Sequence, residues 1–255
     1  MHTVITGASS GIGEALVQEL RRRGHRLTLV ARRRALLEQL ARGHEQDTHV
    51  VEADLSDVAR ATDWLGGAEA ALGPVDVLIN NAGVQIVGST PTTRWEDGER
   101  LLRVDLHAPL KLTLTVLPGM LARRSGTIVD IASMAGLAPT PFMYFYNAAK
   151  AGLGAASESL RGELKGTGVH VLTVYPGPVR TAMESAARDA LELTAAARYT
   201  PTGTTAGLAR RIADGIERRR ARIIYPRVYA LSRHFPNLTR WLMDALTPRP
   251  RALTP

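Results

Sequence analysis

Seven short apolar runs recur along the chain, near residues 3–6, 26–31, 48–52, 75–80, 126–132, 169–175 and 222–225, with helix-length segments between them. Several runs are continuous in Val, Ile and Leu, which is how a strand reads when both of its faces are covered. The intervening segments carry apolar residues three and four apart, as at Ile12, Leu16 and Leu20, the spacing of an amphipathic helix. Strands alternating with helices fold as a parallel sheet with right-handed crossovers. The expected fold is therefore α/β: one doubly wound parallel sheet of about seven strands, helices on both faces. No linker or repeat interrupts the pattern, and 255 residues suit a single large domain. That domain is expected over 1–226, with 227–255 as its basic, helical extension.

The first strand runs into Thr6-Gly-Ala-Ser-Ser-Gly-Ile-Gly13, and a helix follows. A sharp strand-to-helix turn needs positive φ, which glycine supplies. Missing side chains also let a pyrophosphate approach the backbone at the positive end of the helix. The sheet is thus expected to be Rossmann-like, although Gly7, Gly11 and Gly13 do not have the common GxGxxG spacing. The second strand ends at Ala31 and is followed by Arg32, Arg33 and Arg34. A carboxylate at this place accepts from the ribose 2′-hydroxyl of NAD; a guanidinium instead binds a 2′-phosphate. Arg32, directly after the strand, is therefore expected to select NADP(H), while Arg34 reads as the start of a solvated helix.

Tyr146-Asn-Ala-Ala-Lys150 lies in a segment that becomes helical, and a spacing of four puts both side chains on one face. A free tyrosine titrates near pH ~10, and a fixed ammonium beside it favours the phenolate. The pair is a candidate general acid/base. Ser133 follows the run ending at Ala132, at the carboxyl end of a strand, where open α/β sheets bind ligands. Its hydroxyl is placed to hold a substrate oxygen.

Together these residues make the chain resemble the short-chain dehydrogenase/reductase family over roughly residues 3–225. The family's TGxxxGxG turn matches Thr6 to Gly13, and its acidic residue near the adenine matches Asp54. Its NNAG motif matches Asn80 to Gly83, its serine Ser133, its YxxxK Tyr146 and Lys150, and its PGxxxT segment Pro176 to Thr181. The resemblance implies NADP(H) on Gly7, Ser9, Ser10, Gly11, Ile12, Gly13, Arg32, Asp54, Leu55, Asn81, Ala82, Gly83, Tyr146, Lys150, Pro176, Gly177, Val179 and Thr181. It implies a hydride passed between the nicotinamide and a carbonyl or secondary alcohol, with Tyr146 as proton donor and acceptor. Ser133 would stabilise the oxygen, and Lys150 would bind the ribose and lower the tyrosine pKa. Tyr144 is not that tyrosine, because Ala148 stands four residues on. The chain departs from the pattern at Asp105, where the family has an asparagine that helps hold a water in a proton relay. An aspartate still accepts from water, but its charge also opposes Lys150. A catalytically weak, cofactor-sensing binding protein of the same fold is the alternative that Asp105 favours.

Gln85, Leu137, Phe142, Met143 and Met183 are expected to border a mainly apolar substrate pocket. Such a lining favours an aliphatic or ring ketone over a sugar or a charged acid. The stretch from Ala182 to Thr200 is expected to be a helical lid. No metal is expected: cysteine is absent, the seven histidines are scattered, and no HExxH occurs.

A strand at the extreme N-terminus leaves no room for a signal peptide, and no apolar run reaches ~18–20 residues, so a cytoplasmic protein is expected. The net charge of +8 sits mostly beyond Glu217, where nine arginines face Glu217 and Asp244. No nucleic-acid motif accompanies them. Mixed with Leu231, Leu238, Trp241 and Leu242, they fit a solvated tail, a cover over the pocket or an interface, or contact with a membrane surface. Small residues after Tyr146, including Ala148, Ala149, Gly152, Gly154 and Ala155, let helices approach closely, and the resemblance implies a homodimer or homotetramer through this helix.

Overall fold

The computed structural model describes residues 1–192, 201–230, 241 and 249–250. Seven parallel strands form the central sheet: β1 (His2–Thr6), β2 (Arg26–Ala31), β3 (Thr48–Glu52), β4 (Val77–Asn80), β5 (Gly126–Ile131), β6 (Val169–Pro176) and β8 (Arg222–Tyr225), in the order β3-β2-β1-β4-β5-β6-β8. Each coincides with one of the apolar runs. The continuous runs have the expected cause. Val4 and Ile5 point to opposite faces of β1, and both are fully buried. Ile5 packs with Leu16 and Leu20 of α1 (Gly11–Arg22) and Leu208 and Ile212 of α8 (Thr205–Glu217). Val4 packs on the other face with Leu65 of α3 (Leu65–Leu72) and Leu112 and Val116 of α5 (Ala108–Ala122).

The chain winds outward from β1 to β3, then returns to place β4 on the other side of β1. The neighbours β1 and β4 therefore send their following loops apart, and a crevice opens at their carboxyl ends. Thr6 fastens the two loops at its floor. Its hydroxyl accepts the amides of Asn81 and Ala82, each at 3.0 Å, while Asn81 Nδ2 donates to the Thr6 carbonyl at 2.9 Å.

Helix α4 (Trp95–Leu102) leads into α5 through a π-helical turn, Arg103–His107. Such single turns occur often at functional sites, and this one holds Asp105 fully buried. Helix α6 (Tyr144–Glu163) packs beside it. Of the small residues of α6, Ala149 and Gly154 face inward, whereas Ala148 and Ala155 are exposed. A side chain at Gly154 would begin 3.1 Å from the Tyr175 hydroxyl, so part of that small-residue pattern serves packing within the chain.

Beyond β6, α7 (Ala182–Asp189) is helical as expected of a lid, but a short strand, β7 (Leu191–Glu192), follows it. This strand pairs antiparallel with β9 (Arg249–Pro250). Here the extension is strand rather than helix, because backbone pairing with β7 sets its conformation. Residues 193–200 of the expected lid, and Leu231, Leu238 and Leu242 of the tail, lie outside the described residues. The tail begins with a 3₁₀ turn, Arg227–Tyr229, and the Tyr229 hydroxyl donates to the Pro201 carbonyl at 2.9 Å. Among the described residues, no helix is long and apolar enough to cross a membrane.

Candidate active site

A cleft of about 570 Å³ runs along the carboxyl ends of the strands, within the ~300–1,000 Å³ usual for small-molecule sites. At one end, the turn after β1 contributes Gly7, Ser9, Ser10, Gly11 and Ile12. Gly7 and Gly11 have φ of +66° and +61°, the left-handed region in which a side chain is strained. Gly13, expected in the cofactor site, does not line the cleft. A Cβ there would stand 2.2 Å from the Gly7 carbonyl oxygen, so glycine is required for seating α1 on the turn. Arg32, Asp54 and Leu55 line the same end, as does Arg33, whose role the sequence left open. Arg33 Nη2 donates to the hydroxyls of Ser9 and Ser10, each at 2.9 Å, tying the end of β2 to the first turn. The bare turn at the start of α1, with two arginines beside it, fits the phosphate groups of a nicotinamide dinucleotide.

The other end of the cleft gathers Ser133, Tyr146 and Lys150 with Asp105. Ser133 leaves β5 extended and caps the turn at Met134–Gly136, its hydroxyl accepting the Ala135 amide at 3.1 Å. It lines the same end of the cleft as Tyr146, and its hydroxyl favours the ionised tyrosine. Lys150 is buried one turn beyond Tyr146, with its ammonium 5.8 Å from the centre of the tyrosine ring. The ammonium donates to the Ile131 carbonyl at 3.1 Å and stands 3.1 Å from Asp105 Oδ2. Asp105 Oδ1 accepts the Val84 amide at 2.7 Å.

Electrostatics follow from these contacts. Burial pushes the Asp105 carboxyl above the ordinary carboxylate range, against the pull of Lys150. Burial opposes the Lys150 charge too, but Asp105 and Tyr146 outweigh it and hold the ammonium above its usual pKa. Tyr146 is raised, first by burial; Lys150 lowers it and Asp105 raises it again. The aspartate thus works against the ammonium at the tyrosine, as its place in the sequence foreshadows. Asp105→Asn is expected to lower the Tyr146 pKa, because it removes the negative charge that raises it. Alcohol oxidation needs the ionised tyrosine, so the limb on which its rate rises with pH should move to lower pH. One amide oxygen cannot serve both Val84 and Lys150, so a stability loss of about 1–3 kcal/mol is also expected. A pH–rate series on both proteins checks the shift; coincident limbs would show that the Asp105 charge does not reach the tyrosine.

Asn81, Ala82, Gly83, Gln85, Met143, Pro176, Gly177, Val179, Thr181 and Met183 also line the cleft, whereas Leu137 and Phe142 do not. Leu137 follows the Ser133-capped turn and is 37% exposed. Phe142 adopts φ of 68°, and its carbonyl accepts the Gly88 amide at 2.9 Å, so it ties two loops together outside the cavity. Glu184 lines the cleft without having been foreseen. Its signal was present: Thr181 and Glu184 have the S/T-x-x-E spacing of a helix start, and the Thr181 hydroxyl accepts the Glu184 amide at 3.2 Å.

The family model for short chain dehydrogenases matches residues 1–192. An uncharacterized oxidoreductase of Staphylococcus epidermidis is 34% identical over 180 residues, which are 71% of this chain and 78% of the relative. The ketoacyl reductase HetN of a Nostoc species is 34% identical over 179 residues, 69% of this chain and 62% of its own length. A short-chain dehydrogenase from Sphingobium yanoikuyae, solved in complex with NADPH, superposes with a TM-score of 0.79 at 30% identity, covering 100% of this chain and 98% of that one. The chain belongs to the short-chain dehydrogenase/reductase family. It is an oxidoreductase whose family uses a nicotinamide cofactor.

Proposed function

We propose that the chain is an NADP(H)-dependent enzyme that reduces a carbonyl group, or oxidises the matching secondary alcohol, on a mainly apolar substrate. The observation that carries this reading is the meeting of Ser133, Tyr146 and Lys150 at one end of a cleft whose other end has a bare helix turn and two arginines. When bound, the cofactor supplies or accepts the hydride. Tyr146 gives its phenolic proton to the carbonyl oxygen in reduction and takes it back in oxidation. Ser133 donates a hydrogen bond to that oxygen, and Lys150 favours the phenolate while its contact with Ile131 fixes its position. Arg32 and Arg33 hold the 2′-phosphate. The NADPH complex of the Sphingobium relative and the ketoacyl activity in the HetN name support the cofactor and the carbonyl substrate respectively.

The Asp105–Lys150 ion pair favours one other reading, a protein that binds the cofactor and turns over weakly. Loss of reduced-nicotinamide absorbance with a panel of uncharged aliphatic and ring ketones separates the two. Turnover with NADPH is expected. Tight NADPH binding without turnover of any ketone would overturn the enzyme reading and leave the binding protein.

A further inference from the structure

One charged group at the reacting end has no part in the proton transfer. Glu184, in the first turn of α7, lines the cleft next to Met183, and its carboxylate charge is felt by the Tyr146 hydroxyl. Three carboxyl groups line the cleft among the described residues: Asp54, Asp105 and Glu184. Asp54 lies with Arg32 and Arg33 at the cofactor end. Asp105 is fully buried, and Lys150, itself a lining residue, neutralises it. Glu184 differs. Its ion-pair partner is Arg188, one helical turn on at 2.8 Å, with their side chains 24% and 28% exposed. Arg188 does not line the cleft and is anchored elsewhere, donating to the Thr202 hydroxyl at 3.2 Å. The negative member of the pair is therefore presented to the cavity, and the positive member stands behind it.

We propose that Glu184, held by Arg188, makes the reacting end select uncharged carbonyl compounds, such as ketones and oxo esters or thioesters, over the corresponding free oxo acids. This rests on the reading of the chain as a carbonyl reductase. A substrate carboxylate close to the reacting carbonyl would share a partly dehydrated cavity with Glu184, where like charges a few ångströms apart repel strongly. Arg188 cancels part of that repulsion. The net discrimination is about tenfold in kcat/KM, beyond what the apolar lining contributes.

The test compares a 3-oxo acid with its ethyl ester, two substrates that differ in charge close to the carbonyl. The ester-to-acid ratio of kcat/KM is measured for the wild type, Glu184→Gln and Arg188→Gln. Glu184→Gln is expected to lower the ratio about tenfold. Arg188→Gln, which bares the carboxylate, is expected to raise it severalfold. A ratio does not depend on the fraction of active protein, and a merely structural role would not move the two variants in opposite directions. In the wild type, added salt is expected to lower the ratio by screening, which tests the idea even where a variant does not fold. Turnover of the ester with ratios that agree within about twofold across variants and salt, or with both variants moving the same way, would overturn the Glu184 assignment alone. No turnover of the ester or of any uncharged ketone by the wild type would overturn the reductase reading, and this proposal with it.

Discussion

Tyr146→Phe is expected to lower kcat/KM for carbonyl reduction by about 10²–10⁴-fold, the usual contribution of a positioned general acid. The substitution removes one oxygen atom and keeps the ring. Lys150 should hold its place, since its ammonium is fixed by Ile131 and Asp105 and not by the phenol. Cofactor affinity should therefore change by no more than about threefold, a difference of ~0.7 kcal/mol. Direct NADPH titration beside steady-state kinetics gives both numbers. A loss in kcat/KM below tenfold would mean that another group, or water, delivers the proton. An equal loss in binding and turnover would point to a collapsed site. Because burial raises the Tyr146 pKa, the neutral acid form is the resting form near neutrality. Reduction should therefore have a broad plateau on the acid side of its profile, and oxidation should depend on raising the pH.

Removing Arg32 and Arg33, the two arginines after β2 that line the cleft, is expected to erase the preference for NADPH. A hydrogen bond to a charged group contributes about 1.5–3 kcal/mol, and Arg32 and Arg33 are exposed, so solvent places each near the low end. Arg32→Ala should lower the NADPH-to-NADH affinity ratio about tenfold, and the double variant about a hundredfold. The two positions should also differ. Arg33 cross-links to Ser9 and Ser10, so its loss should loosen the phosphate turn and weaken both cofactors. Arg32→Ala should weaken NADPH alone. Dissociation constants for both cofactors in the wild type, the single variants and the double variant decide this. An unchanged ratio in the double variant would remove the basis for NADP(H) selection.

The sheet was legible in the sequence because strands covered on both faces carry their signal locally. Val4 and Ile5 are adjacent, point opposite ways and are both buried, so an unbroken apolar run was the correct sign. The pair Tyr146 and Lys150 was legible for a similar reason, since four residues along a helix is a local distance. Ser133 followed from its position at the end of a strand.

What the sequence left open depends on contacts between distant residues. Whether Asp105 meets Lys150 is a matter of two helices packed together, 45 positions apart in the chain. A π-helical turn, which no periodicity announced, points that carboxylate inward. Between Ser133 and Tyr146 the chain follows no repeat. There the Gly88 amide on the Phe142 carbonyl, and Asn147 Nδ2 on the Thr140 carbonyl at 2.7 Å, decide which side chains enter the cleft. Met143 turns in, while Leu137 and Phe142 stay out. Arg33 and Glu184 were open to the same ambiguity, because a charged residue at a helix start reads as solvated until the opposite wall is known. Local periodicity and motif spacing thus determined the strands, the phosphate turn and the tyrosine–lysine pair by themselves. Only tertiary packing decided which charges face one another across the cleft, since Coulomb interaction depends on distance in space and on burial, neither of which is set by neighbours in the chain.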